Sequence, residues 1–224
     1  TGTVPQDWLS KAVDDSGQSL RDAMAEVGLD LNRIREAARS PSDLRAFLEL
    51  HIEQGPVLEH AQIPVGAADR ITGCFNWQVT LTGKADHTGT TPMDMRRDAL
   101  VGASKFIAGV DALAAGLIRD GLAEQPRITV GRMDVRPGFP HTVPSETDFT
   151  IIARDTTSAA MDAMAAAMRK ALEDAADSHN LGLSILEKSR LEPSTCAPSV
   201  VELIGAKATA RGYDYRVMSC GAGH

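Results

Sequence analysis

The 224-residue sequence has little of several features that mark large classes of proteins. Aromatic residues make up 4% of it, cysteines number three, and the net charge is -7. Because binding to phosphate backbones needs clustered Lys and Arg, this acidic balance argues against a nucleic-acid partner. We find no uninterrupted run of about 20 apolar residues and no signal-peptide pattern, so we expect neither a membrane span nor a membrane partner.

The cysteines are also too few and too scattered for a covalent or metal framework. Cys74, Cys196 and Cys220 are odd in number and lack a C-x-x-C pair, so we predict free, buried thiols. Free thiols persist in a reducing compartment, which favours a cytoplasmic location. The chain begins without methionine and stops abruptly at His224, so we expect both ends to be cuts through a longer chain.

Several widespread catalytic motifs are missing as well. The sequence contains no G-x-G-x-x-G, Walker loop, H-E-x-x-H or G-x-S-x-G, which leaves nucleotide, zincin and serine-hydrolase interpretations without support. What it does contain is 43% apolar and 24% charged residues, as in ordinary globular proteins.

Hydrophobic periodicity predicts an α/β chain. Helical spacing runs through residues 5–46, and alternation over 46–54 predicts a strand. A short helix follows Pro56, where proline suits the first helical position. A helix over 198–211 and a strand ending at Cys220 close the chain.

The central part has its own pattern of strands and helices. We predict strands at 73–83, 127–135, 146–154 and 181–189, with helices at 90–116 and 157–178. The order is β-α-β-β-α-β, a ferredoxin-like arrangement. We therefore predict an α/β domain built from residues 1–69 and 191–224, with a ferredoxin-like domain over 70–190 inserted between them.

Position alone makes a few residues candidates for chemistry. His51 lies near the carboxyl end of the strand predicted over 46–54, where α/β sheets bind ligands. His87 lies in a glycine-bearing loop between a strand and a helix. Arg154 ends a strand with a planar guanidinium suited to a carboxylate. His141 follows a Pro-Gly-Phe-Pro turn, and His224 lies beside glycines that allow close backbone approach.

Each of these residues also has a structural interpretation. His51 could be a core histidine with one hydrogen-bond partner, and the others could be solvated polar groups. Residue types alone indicate only an α/β protein with candidate histidines.

The order of the motifs is more specific. Residues 48–56, Leu-Glu-Leu-His-Ile-Glu-Gln-Gly-Pro, resemble the HIEQGP motif of the amidase, hydantoinase and carbamoylase branch of the M20 metallopeptidase-like family. Residues 83–100 resemble its lid motif. Residues 137–144, 154–155 and 221–224 resemble three later motifs in the same order, so the resemblance spans nearly the whole chain.

This resemblance implies a two-domain hydrolase whose ferredoxin-like insert is a lid and dimerisation domain. It implies two divalent metal ions, zinc or manganese with cobalt possible, with His51 as a ligand of one and His224 of the other. Such ions polarise a carbonyl and activate water. The implied reaction is hydrolysis of a C–N bond in a linear amide or ureido substrate, with N-carbamoyl-L-amino acids giving the amino acid, CO2 and ammonia.

The resemblance also assigns substrate roles. His87, His141 and Arg154 would reach across a homodimer into the partner's site. His87 would donate a hydrogen bond to the developing oxyanion as a catalytic residue. Arg154 would bind the carboxylate of a small-molecule substrate, and Gln54 would orient that substrate.

The sequence departs from the family pattern at several points. His141 stands where the family has asparagine, and Ile152 where it has an acidic residue. Asn76, a further substrate-binding candidate, stands where allantoate hydrolases are expected to have arginine, which favours N-carbamoyl amino acids. The upstream histidine-x-aspartate motif and the glutamate pair are absent, so we expect this chain alone to be inactive.

Three alternatives remain open at this point. The parent could be an allantoate amidohydrolase, or an M20 deacylase or peptidase, although the HIEQGP motif argues against the latter. In a different class, the chain could be a non-catalytic dimerisation or binding module.

Overall fold

A computed structural model describes residues 4–14 and 16–222. The chain forms two compact units, one up to Ile52 and one from Glu53 onward. The domain boundaries predicted after residues 69 and 190 stay a prediction.

The first unit consists of short helical pieces. They are α1 (Gln6–Lys11), α2 (Leu20–Glu26) and two 3₁₀ turns (Leu31–Ala37 and Pro41–Asp43). The Ser19 side chain caps α2 by accepting the N–H of Asp22, which supplies one of the partners that a helix start lacks. The helical spacing predicted over 5–46 therefore forms short helices separated by turns.

The prediction of a strand over 46–54 is wrong, because these residues have no regular secondary structure. A strand forms where a neighbouring strand pairs with its N–H and C=O groups. In the described chain, all the strands that pair into sheets begin at Val65 or later. The alternating side chains are exposed instead, with Phe47 at 83% and Leu50 at 102%.

The second unit contains most of the regular structure. Its elements are α3 (Val57–Ala61), β1 (Val65–Ile71), β2 (Gly73–Thr82), a 3₁₀ turn (Met93–Met95), α4 (Ala99–Arg119), β3 (Arg127–Arg136), β4 (Glu146–Asp155), α5 (Ser158–Asp177), β5 (Gly182–Leu191), β6 (Ser194–Thr195), α6 (Pro198–Thr209) and β7 (Tyr215–Cys220).

One sheet has three strands in the order β6-β1-β7, with β1 parallel to β7 and antiparallel to β6. It joins segments that lie on both sides of residues 73–191 in the sequence. The predicted helix and strand near the end of the chain are confirmed as α6 and β7. The strand β1 was not predicted, because Val-Gly-Ala-Ala-Asp-Arg-Ile offers little large apolar alternation.

The other sheet has four antiparallel strands in the order β3-β4-β2-β5. With α4 and α5 its elements follow the order β-α-β-β-α-β, and we call residues 73–191 the βαββαβ unit. The four predicted strands and the helix predicted over 157–178 lie within two residues of the observed bounds. The helix predicted from residue 90 begins instead at Ala99, because the Asp98 carboxylate caps it by accepting the N–H groups of Leu100 and Val101.

The core of this unit lies between one face of the four-stranded sheet and the two long helices. Every second residue of β2 is buried on that face, as the period of a strand requires. Phe149 of β4 contacts Phe106 of α4 with ring centroids 6.1 Å apart. The fully buried members include Phe75, Trp77, Val79, Leu81, Phe149, Ile151, Met161, Met164, Met168 and Leu172.

The helix α4 is long and apolar enough to cross a membrane by length and composition alone. Its inner residues Ala103, Phe106 and Leu117 are buried in the core just described. A helix that packs one face against the core of a globular domain can have a similar length and composition. These two properties of α4 are therefore no argument for a membrane span.

Candidate functional site

The loop that follows β2 brings two of the predicted residues together. His87 forms an isolated antiparallel bridge with Thr142 in the connection between β3 and β4. The Thr88 N–H donates to the carbonyl oxygen of His141 at 3.1 Å. His87 and His141 therefore lie on adjacent backbone segments, and both side chains are exposed.

A backbone hydrogen bond to the His87 ring favours one tautomer of the neutral imidazole. Its Nδ1 accepts the backbone N–H of Gly89 at 3.0 Å. A ring nitrogen that accepts carries no proton, so the neutral imidazole has its proton on Nε2. This tautomer can donate a hydrogen bond from Nε2 to an oxygen that gains negative charge.

Gly83 is the first residue of this loop, and neighbouring backbone leaves no room for a Cβ atom on its Cα. An added Cβ would lie 1.8 Å from the carbonyl oxygen of Arg97, which also accepts the Lys84 N–H at 2.9 Å. We expect Gly83→Ala to destabilise the chain by about 1–3 kcal/mol, because backbone must move to relieve the overlap. Gly131 is the matched control, since no described heavy atom lies within 4 Å of a Cβ added there.

Urea unfolding of the two glycine variants tests this expectation. Gly131→Ala should unfold within about 0.5 kcal/mol of the parent. Equal midpoints for both variants would show that the loop tolerates the extra methyl group.

Arg154 lies near the end of β4, opposite Cys74 on β2 and Arg127 on β3. Its Nη1 donates to the carbonyl oxygen of Gly221 at 2.9 Å, just after β7. Gly221 precedes His224 by three positions in the sequence, and His224 itself lies outside the described residues. The bond joins Arg154 to the segment that leads to a predicted metal ligand of the same chain.

Asn76 shares a sheet face with Arg154. It pairs with Ile152, so Asn76 and Arg154 are diagonal neighbours on β2 and β4. The Oδ1 atom of Asn76 is buried and has no hydrogen-bond partner in the described part of the chain. A buried acceptor in that state is costly unless another group approaches it, which suits a ligand-binding role.

The two pairs of predicted residues lie at opposite ends of the β2–β4 strand pair. Arg154 lies opposite Cys74, whereas the His87 loop begins after Thr82. These two β2 residues are eight positions apart, about 26 Å at roughly 3.3 Å per residue. Within this unit, the structure brings His87 to His141 and Asn76 to Arg154, but does not join the two pairs.

Asp155, next to Arg154, has a structural role. Its carboxylate is fully buried and accepts the Thr156 N–H at 2.5 Å and the Gln125 N–H at 3.3 Å. Gln125 in turn accepts the Ser219 hydroxyl at 2.7 Å. This network ties the connection before β3 to the end of β4 and to β7.

The motif around His51 and Gln54 is divided between the two units. His51 is exposed in the first unit, with Nδ1 at 2.5 Å from the carbonyl oxygen of Ile52. Because a carbonyl oxygen only accepts, Nδ1 is the donor in this bond. In the second unit Gln54 has a φ of +53°, a left-handed conformation that is uncommon without glycine. Glu53 fixes the following turn by accepting the N–H groups of Val57 and Leu58, both at 2.8 Å.

A metal centre is not formed by the described residues alone. Among them no group of three or more His, Cys, Asp or Glu side chains could hold an ion. One predicted ligand, His51, is described and the other, His224, is not. The donors present therefore do not complete a site, and we derive no chemical step through a metal here.

The cysteines are unpaired, as predicted, but half-buried rather than buried. Burial raises the pKa of the Cys196 thiol, and nearby Asp69 and Cys220 add to that effect. A raised pKa disfavours the thiolate, which is the reactive form.

Sequence reasoning assigned no role to Arg96. Its guanidinium donates to the carbonyl oxygens of Thr88 and Thr91, at 2.5 and 3.0 Å, and so contacts the His87 loop. An arginine shortly after a glycine-bearing loop was the available signal, but only the fold shows which groups it reaches.

Comparison with known proteins finds relatives of the kind that the motifs resemble. No family model matches the chain. An N-carbamoyl-L-amino-acid amidohydrolase of Paenarthrobacter aurescens is 36% identical over 223 residues, covering 100% of this chain and 53% of the relative. An allantoate amidohydrolase of Escherichia coli is 32% identical over the same shares of the two chains.

Solved structures of other proteins are also similar to this fold. A crystal structure of a hydantoinase/carbamoylase family amidase from Burkholderia multivorans has a TM-score of 0.81 and 30% identity, covering 100% of this chain and 52% of the other. The mixed α/β architecture with two sheets is thus that of these amidases. The chain is similar to amidases of the hydantoinase/carbamoylase family, and it spans about half the length of the curated relatives it matches.

Proposed function

We propose that this chain is part of a metal-dependent amidohydrolase that cleaves a C–N bond in linear ureido substrates. We propose N-carbamoyl-L-amino acids as its substrates, with the amino acid, CO2 and ammonia as products. The names of the amidohydrolase relatives support the reaction class. The observation that carries the proposal is the His87 loop, whose bonds hold a histidine with its proton on Nε2.

His87 is the catalytic residue in this proposal. The reaction passes through an intermediate with negative charge on the former carbonyl oxygen, and a preorganised donor stabilises that charge. The Gly89 N–H already selects the tautomer that donates from Nε2. His141 on the adjacent segment binds substrate beside it, in place of the family's asparagine.

Arg154, Asn76 and Gln54 bind the rest of the substrate. A guanidinium has several N–H donors, and the bond to Gly221 uses one of them, so others can bind a carboxylate. The Oδ1 of Asn76, which has no hydrogen-bond partner among the described residues, can accept from a ureido N–H on the same sheet face. Gln54 orients the substrate from its left-handed turn.

We propose a homodimer formed through the βαββαβ unit, which acts as a ferredoxin-like lid. The separation of the two residue pairs supports a site shared by two chains, with His87 and His141 from one and Arg154 from the other. The resemblance placed all three in the partner's site. The bond from Arg154 to its own chain's Gly221 favours instead a site in which Arg154 serves its own chain.

The ions of the intact enzyme belong to the same proposal. They are two divalent metals, zinc or manganese with cobalt possible, with His51 and His224 among their ligands. The resemblance of residues 48–56 to the HIEQGP motif supports the role of His51. Because the sequence lacks the upstream histidine-x-aspartate motif and the glutamate pair, we expect the 224 residues alone to release no ammonia. We propose a cytoplasmic location, which the free thiols support.

Substitution of Arg154 tests the carboxylate assignment in a full-length parent enzyme. Arg154→Ala should lower kcat/KM for an N-carbamoyl-L-amino acid by about 10- to 100-fold, as expected for loss of a charged hydrogen bond. Arg127→Ala is the matched control, because Arg127 pairs with Arg154 on the neighbouring strand. Equal losses in both variants would contradict a specific role for Arg154.

A further inference from the structure

We propose that Arg96 is the positioning residue that sets the tautomer and placement of His87. The inference rests on the proposed function for the role of His87. The contacts themselves belong to this chain and are testable without turnover.

Arg96 binds the loop at two points. Its Nη2 donates to the Thr88 carbonyl oxygen at 2.5 Å, and its Nε donates to the Thr91 carbonyl oxygen at 3.0 Å. Both bonds are partly shielded from water, and Arg96 is half-buried. A planar guanidinium can hold two carbonyl groups at once in a fixed relation, which a lysine ammonium on a flexible stem does less well.

The residues held by Arg96 are those that close on His87. The Thr91 N–H donates to the His87 carbonyl oxygen at 3.1 Å, and the Gly89 N–H donates to His87 Nδ1 at 3.0 Å. Gly89 lies between the two residues whose carbonyls Arg96 binds. The guanidinium therefore holds the backbone that aims the Gly89 N–H at the imidazole.

Arg97 offers a contrast within the same sequence pair. Its Nε donates to the carbonyl oxygen of Asn180 at 2.7 Å, after α5. Removing that side chain leaves both bonds to the His87 loop in place. The two neighbouring arginines thus separate a general effect of lost charge from the positioning of His87.

The decisive experiment is NMR on the 224-residue chain with ¹⁵N-labelled histidine and backbone. In the parent chain, the ring-nitrogen shifts should report the Nε2–H tautomer of His87. In Arg96→Ala, His87 should become a mixture of tautomers, and the Gly89 amide should exchange about tenfold faster or more. Arg97→Ala should leave the ring-nitrogen shifts of His87 unchanged and the exchange rate of the Gly89 amide within about twofold of the parent.

Arg96→Lys guards against simple loss of folding. It keeps the charge, and we expect it to retain the dispersion of core amides while shifting the His87 tautomer in the same direction as Arg96→Ala. An unchanged tautomer and Gly89 exchange rate in both Arg96 variants would overturn the inference. So would equal changes in Arg97→Ala.

The kinetic counterpart separates this inference from the proposed function. In the full-length enzyme, Arg96→Ala should lower kcat with little change in KM, because His87 acts on the transition state. If His87→Ala retains full activity while the NMR changes occur, the catalytic role fails and the positioning stands. If His87→Ala loses activity while Arg96→Ala changes neither NMR readout, the positioning fails and the catalytic role stands.

Discussion

The His87→Ala variant of the full-length enzyme should lose about 10²- to 10³-fold in kcat, the usual cost of removing one oxyanion donor. KM should change little, since the donor acts mainly when negative charge develops on the oxygen. The physical basis for this expectation is the hydrogen bond from the Gly89 N–H to His87 Nδ1. It keeps the proton of the neutral imidazole on Nε2 before substrate arrives. Initial rates with an N-carbamoyl-L-amino acid give both constants.

Two further variants sharpen that test. His87→Gln supplies an amide N–H donor and should recover part of the lost rate. His60→Ala removes an exposed histidine on α3 and should leave kcat unchanged. A His87→Ala enzyme with the rate of His60→Ala would exclude His87 from the chemistry.

The Phe149→Ala variant should lower the free energy of unfolding by about 3–5 kcal/mol. Phe149 is 0% exposed at the centre of the four-stranded sheet and contacts the Phe106 ring of α4. Truncation removes buried apolar surface and leaves a cavity between sheet and helix, and the packed surroundings can close it only in part. Urea unfolding of the 224-residue chain measures the change.

A second phenylalanine provides the control for this loss. Phe139, in the connection between β3 and β4, is 68% exposed, so Phe139→Ala should change stability by about 0.5 kcal/mol or less. A Phe149→Ala variant as stable as Phe139→Ala would show that the sheet face does not form the core.

The βαββαβ order was predictable because its patterns are local. Apolar residues at every second position of β2 and at helical spacing in α5 indicate their elements without knowledge of the partners. The segment 46–54 shows where this reasoning fails. Its alternation is equally regular, but a strand depends on a neighbour, and the described chain places none beside it.

The start of α4 shows a second limit. Thr90, Thr91 and Pro92 form a typical cap sequence, but a 3₁₀ turn and not α4 follows them. The backbone N–H groups of Thr90 and Thr91 donate to the His87 carbonyl oxygen and hold these residues in the loop. Asp98 caps α4 instead, because its carboxylate accepts two N–H groups of the first turn. Two possible caps compete here, and loop contacts that are invisible in the sequence decide between them.

In the candidate site, too, the sequence indicates the residues but not the contacts that they make in the fold. Motif order predicts His87, His141 and Arg154 as site residues by resemblance. The pairing of His87 with Thr142 and the bond from Arg154 to Gly221 join segments far apart in sequence. Such contacts follow from the packing of the sheet and not from local spacing. The bonds from Arg96 are local, but they depend on the conformation of the His87 loop.

The most direct test of the account is ammonia release by a full-length parent enzyme loaded with zinc or manganese. The substrate panel would hold N-carbamoyl-L-amino acids, ureidopropionate and allantoate. We expect release from N-carbamoyl-L-amino acids, abolished by a chelator and strongly reduced in Arg154→Ala. Release from allantoate alone would contradict the substrate assignment, and no release from any of them by the metal-loaded enzyme would contradict the proposed reaction itself.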